Sequence, residues 1–91
     1  MSAAKVRLAR HPTAVAFGAV IREIRMARGL SQETLADRSG FDRTYPSLLE
    51  RGLRMPTIST IFRLADALGV PAESLVANAC DRLRSSQSGQ G

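Results

Sequence analysis

Four glycines, Gly29, Gly40, Gly52 and Gly69, each stand just past a short stretch of apolar residues spaced three and four apart. That punctuation leaves room for short helices and little else, because glycine takes the left-handed conformation that closes a helix at no steric cost. Phe17, Val20, Ile21, Ile24 and Ala27 define a first helix from about Thr13 to Arg28, closed by Gly29. Ser31 is an N-cap for a second helix that starts at Gln32, carries Glu33 in its first turn, turns Leu35 and Ala36 inward and ends at Gly40. Asp42 caps a third, Arg43 to Arg51, closed by Gly52. Thr57 caps a fourth whose Ile58, Ile61, Phe62, Ala65 and Leu68 share one face before Gly69. Pro71 takes the first position of a fifth, in which Leu75, Val76, Ala79 and Leu83 recur as far as about Arg84. No segment alternates with period two, so the expected fold is all-α, a bundle of five helices.

At 91 residues the chain holds one domain at most. Residues 1–12 read as a basic flexible arm, 13–84 as the folded domain, and 85–91, Ser-Ser-Gln-Ser-Gly-Gln-Gly, as a disordered polar tail. Thirteen basic residues, twelve of them arginine, against eight acidic ones give a net charge of +5, which favours a polyanionic partner. Cys80 and His11 are single, so neither an intrachain disulfide nor a multi-ligand zinc site is expected, and no metal or cofactor is assigned. Cys80 reads as a small buried or half-buried thiol. Both absences fit a reducing cytosol, and without an apolar leader or a long apolar run the expected location is cytoplasmic, at the nucleoid, with no membrane association. Aromatic residues are too few, at 4%, to line a ligand pocket. No pair of titratable groups has catalytic spacing, so no enzyme is expected. Glu33, Asp37 and Asp66 read as helix-surface partners for arginines such as Arg38 or Arg63.

The link Ser39-Gly40-Phe41-Asp42 is so short that the second and third helices must cross steeply, which is helix-turn-helix geometry. Ala36 is small at the closest approach, Gly40 can take positive φ, and Phe41 and Leu49 point to the core. A structural αα-hairpin of an unrelated bundle satisfies the same spacing. Longer motifs separate the two. Gly29-Leu30-Ser31-Gln32-Glu33-Thr34-Leu35-Ala36, Ser39-Gly40-Phe41, Leu49-Glu50-Arg51-Gly52-Leu53-Arg54-Met55-Pro56-Thr57 and Leu64-Ala65-Asp66-Ala67-Leu68-Gly69-Val70 resemble the phage repressor and Cro-like DNA-binding domains, the xenobiotic-response-element helix-turn-helix family. The resemblance runs from about Val15 to Ala77.

It implies a sequence-specific transcriptional regulator whose third helix lies in the major groove of double-stranded DNA. Arg43, Thr44, Ser47 and Leu48 would then face bases: Arg43 can pair bidentately with guanine, and Thr44 can donate or accept at a base edge or meet a thymine methyl. Gln32, Tyr45, Arg51 and Arg54 would contact phosphates, and Lys5, Arg7 and Arg10 of the arm would either follow a groove or stay solvated. Packing of Tyr45 over Pro46 is the alternative to its phosphate contact. In the family a glutamate at Glu50 pairs with an arginine at Arg25, which assigns both to structure. Pro46 departs from the family, which often carries Ile or Val there, and implies a strained or 3₁₀ start to the third helix. The family often dimerises through its fifth helix, so Leu75, Val76, Ala79 and Leu83 are the expected homodimer interface on a pseudo-palindromic operator. The alternative is an antitoxin or adaptor that binds a partner protein through the fifth helix or a tail. Peripheral membrane binding lacks large apolar anchors.

Overall fold

The computed structural model describes residues 11–88. Among them are five helices: α1 (Pro12–Ala27), α2 (Gln32–Ser39), α3 (Tyr45–Glu50), α4 (Ile58–Leu68) and α5 (Ala72–Ser88). Three of the starts are fixed by side chains that satisfy free backbone donors. His11 Nδ1 accepts from the Thr13 N–H at 3.2 Å, Ser31 Oγ from Thr34 N–H at 3.0 Å, and Thr57 Oγ1 from Thr60 N–H at 3.1 Å. Gly40 ends α2 at φ 74°, and its left-handed turn lets the chain reverse toward α3 within a few residues.

The core is aliphatic apart from Phe17. Val20 and Ile21 of α1, Leu35 of α2, Leu49 of α3, Leu64 and Leu68 of α4 and Leu75 of α5 are all buried. α1 packs on α5 and α3, while α2 packs on α4 and α3. The α1–α3 contact is close because Gly18 has no side chain: a Cβ there would lie 2.2 Å from the Leu49 carbonyl oxygen.

Several expectations need correction. The third helix begins at Tyr45 and ends at Glu50, not Arg43 to Arg51. Pro46 supplies no N–H and disfavours α geometry at Tyr45, so Asp42 to Tyr45 form a turn closed by Tyr45 N–H donating to Asp42 O at 3.0 Å. Pro46 is itself buried and fills the inward position. On α4 the covered side carries Thr60, Leu64, Ala65 and Leu68, whereas Ile58 and Phe62 are 69% and 59% exposed. Apolar residues occupy most of that helix's circumference, and only the packing of α2 and α5 decides which side is covered. α5 continues to Ser88, so residues 85–88 are helical and not a disordered tail, and Pro12 belongs to α1 and not to the arm. Leu75 and Ala79, at 0% and 7% exposure, belong to the core and cannot be offered to a second chain. Val76 is exposed and Leu83 half-buried. Cys80 is exposed.

Candidate nucleic-acid interface

The site rests on an ion pair. Arg25 of α1 donates through Nε to Glu50 Oε2 at 2.6 Å and through Nη2 to Oε1 at 3.1 Å, and its Nη1 reaches Leu30 O at 2.7 Å. Gln32 Nε2 adds a third bond to Glu50, on Oε1 at 3.0 Å. The side chains are 11% and 3% exposed, so the two charges are nearly desolvated and the pair is bidentate. One carboxylate at the end of α3 thereby ties together α1, the start of α2 and α3. The pairing implied by the resemblance is present. The Gln32 bond was not foreseen: its amide, expected to be free for phosphate, is engaged with Glu50.

With Glu50 turned inward, the outer side of α3 and the turn before it carry no acid except Asp42. Arg43, Thr44, Ser47, Leu48 and Arg51 line one open concavity there. Sequence spacing placed Arg43 and Thr44 in the helix; they lie instead in the turn that leads into it. Arg43 Nη2 meets Glu33 Oε2 of α2 at 2.7 Å, with both side chains more than half exposed. Such a pair contributes about 0–1 kcal/mol and is readily exchanged for another anion. Arg51 and Arg54 lean on backbone carbonyls, Arg51 Nε on Ser47 O at 3.4 Å and Arg54 Nη1 on Leu53 O at 3.2 Å. The Tyr45 ring is half-buried and tilts against Phe41 with centroids 4.9 Å apart. Lys5, Arg7 and Arg10 lie outside the described residues.

Two positioning residues escaped the sequence reading. Arg63 of α4, expected to pair with an acid, donates through Nε to Ser39 O and through Nη2 to Gly40 O, each at 3.0 Å, and stacks 4.2 Å above the Phe41 ring. It therefore clamps the turn of the helix-turn-helix from outside by satisfying carbonyls at the end of α2. Gly18 sets how closely α3 approaches α1. A glycine inside a helix costs about 1 kcal/mol relative to alanine, and that cost was the one signal available in the sequence.

Asp42 Oδ2 accepts from the Thr44 hydroxyl and, at 3.1 Å, from the Thr44 N–H. The hydroxyl bond, then the backbone bond, holds its carboxyl below the ordinary value of 3.8. A depressed folded-state pKa means that the turn gains from the ionised group above the unfolded value and loses that gain as pH falls through the depressed one. In an NMR titration, the Asp42 carboxyl and the Thr44 amide are expected to share one midpoint below 3.8. A midpoint at or above that value would show that the two bonds do not persist in solution.

A packed helix pair with a clamped turn, an inward-facing glutamate and an outward basic concavity defines a helix-turn-helix module. Residues 21–75 match the family model described as Helix-turn-helix. The chain belongs to the helix-turn-helix family of DNA-binding transcription regulators. It is 48% identical over 59 residues to the uncharacterized HTH-type transcriptional regulator y4dJ of Sinorhizobium fredii, a match that covers 65% of this chain and 77% of that protein. Among solved structures it is similar to the restriction-modification controller protein C.AhdI from Aeromonas hydrophila, at 46% identity and a TM-score of 0.69, covering 71% of this chain and 98% of that one. It is also similar to the controller protein C.Esp1396I, solved as a tetramer in complex with its natural 35 base-pair operator. There the identity is 31% and the TM-score 0.71, over 78% of this chain and 93% of that one. No helix among the described residues is long and apolar enough to cross a membrane.

Proposed function

We propose that the protein is a sequence-specific regulator that binds a pseudo-palindromic operator as a homodimer, with the Asp42 turn and α3 in the major groove. The observation that carries this reading is the exposed concavity formed by Arg43, Thr44, Ser47, Leu48 and Arg51, from which Glu50 is withdrawn. Arg43 takes guanine O6 and N7 once DNA displaces Glu33, and Arg51, Arg54 and the start of α2 at Gln32 lie against phosphates. The place of action is the chromosome. The homodimer is supported by apolar surface left uncovered on α4, α5 and the segment before α4, where Ile58, Phe62, Val76 and Met55 are 69%, 59%, 45% and 52% exposed. Val76 and Met55 share a groove with Cys80 and Leu83. With Leu75 and Ala79 spent on the core, these residues replace them as the dimer face. The operator complex of C.Esp1396I supports DNA as the ligand.

Selection from a randomised operator library tests the proposal. The recovered sites are expected to contain two half-sites related by a two-fold axis, with centres about 34 Å or one helical turn apart. Arg43→Ala is expected to cost about 1–3 kcal/mol and to relax preference at one base pair per half-site, whereas Arg54→Ala weakens binding evenly across sequences. Affinity should fall with salt at a log–log slope of about −0.9 per neutralised phosphate. An unchanged profile for Arg43→Ala would sink the base assignment, and asymmetric sites would sink the dimer.

A further inference from the structure

Resting on that DNA-binding reading, we infer that Thr44 recognises an exocyclic amine in the major groove, the N4–H of cytosine or the N6–H of adenine, because its hydroxyl proton is committed to Asp42. A threonine hydroxyl has one proton to give and two lone pairs to accept with. An ionised carboxylate only accepts, so in the contact between Thr44 Oγ1 and Asp42 Oδ2 the proton belongs to Thr44. The same Oδ2 also takes the Thr44 N–H at 3.1 Å, closing a small ring of side chain and backbone at the entry to α3. Turning the hydroxyl away to donate to a base would leave the Asp42 carboxylate with one donor fewer while it faces a polyanion. The ring therefore persists in the complex. What Thr44 shows to DNA is an oxygen with lone pairs only.

Its neighbour shows the opposite pattern. Arg43 has donors and no acceptor, and it meets Glu33 through Nη2. Consecutive residues of one turn thus present donors and then an acceptor. In the major groove guanine offers the acceptors O6 and N7 and thymine the acceptor O4, while amine donors belong to cytosine and adenine. Arg43 selects the first kind of edge, and Thr44 selects the second at a neighbouring base. A guanine or thymine oxygen opposite Thr44 Oγ1 would bring two acceptors together with no proton between them, and the discrimination expected from one such hydrogen bond is about fivefold. Asp42 is then a specificity-determining residue that need not touch the DNA.

The test is the strand-resolved base preference of the full chain on a randomised half-site library, for the wild type, Thr44→Val, Thr44→Ser and Asp42→Ala, with thermal melting to confirm that each variant folds. The wild type is expected to favour cytosine or adenine over guanine and thymine by about fivefold at one position on one strand. Thr44→Ser keeps that preference and Thr44→Val erases it. Asp42→Ala frees the proton and admits guanine or thymine at that position alone. Preference for guanine or thymine at the position that Thr44→Val flattens would overturn the inference, as would an Asp42→Ala profile identical to the wild type. Should Asp42→Ala fail to fold, Thr44→Ser against Thr44→Val decides. If Arg43→Ala alters one position while Thr44→Val alters none, this inference fails and the DNA-binding reading stands. If the wild type selects no sequence at all, the underlying reading fails.

Discussion

Glu50→Ala is expected to lower folding stability by about 3–5 kcal/mol, the cost of stranding a buried charge. Removing the carboxylate takes away three hydrogen bonds at once, two from Arg25 and one from Gln32. The guanidinium left behind is only 11% exposed and keeps a single carbonyl partner, Leu30 O. A domain of this size has about 5–15 kcal/mol in total, so the variant sits near the edge of unfolding. Urea denaturation followed by circular dichroism measures the loss. The double variant Arg25→Met, Glu50→Met should recover most of it, since a buried ion pair is of little net value against apolar side chains of similar volume. A Glu50→Ala loss below about 1 kcal/mol would mean that the pair is solvated, as exposed pairs are. Any loss of DNA binding in Glu50→Ala alone then reports unfolding, not a missing DNA contact.

Gly18→Ala carries the second largest effect, and its sign is the informative part. Helix propensity alone favours alanine by about 0.8–1 kcal/mol. Against this, the new Cβ would lie 2.2 Å from Leu49 O and 3.0 Å from Glu50 O, both backbone atoms that move only if α3 moves. A net destabilisation of about 1–3 kcal/mol is expected, as for other overpacked sites. Displacing α3 also re-aims the concavity beside Ser47 and Leu48, so affinity for a selected operator should fall further than that of Ala19→Gly, which adds no atom against α3. Stabilisation by Gly18→Ala would show that α1 and α3 are not in contact.

These two residues mark how differently the site could be read from the chain. Glu50 was legible only through resemblance: nothing in its local spacing says that an acid on the third helix faces inward toward an arginine 25 positions earlier. Gly18 went unnoticed, because its reason is a carbonyl on another helix. Arg63 was misread as the partner of an acid, since a surface arginine near Asp66 has that local option, whereas the fold brings it to Ser39 O and Gly40 O. Arg43, Thr44, Ser47, Leu48 and Arg51 were named from spacing and family position, and they do line one concavity. Their backbone setting was not foreseen in full. Pro46 marked a disturbed helix start, but not that Arg43 and Thr44 would precede the helix altogether.

The chain alone determined part of what local chemistry controls: that Ser31 and Thr57 start helices, that Gly40 and Gly69 stop them, that no strand forms among the described residues, and that basic side chains cluster around one turn. Ser31, Gly40, Thr57 and Gly69 act through neighbours within four residues, so their effects are written in order along the sequence. Tertiary structure decided the rest. Which side of α4 is covered, whether Leu75 and Ala79 remain available, where the Gln32 amide goes and which carbonyls Arg63 holds all depend on groups distant in sequence. An apolar or charged side chain specifies only that it needs a partner, and the packing of the helices chooses which one.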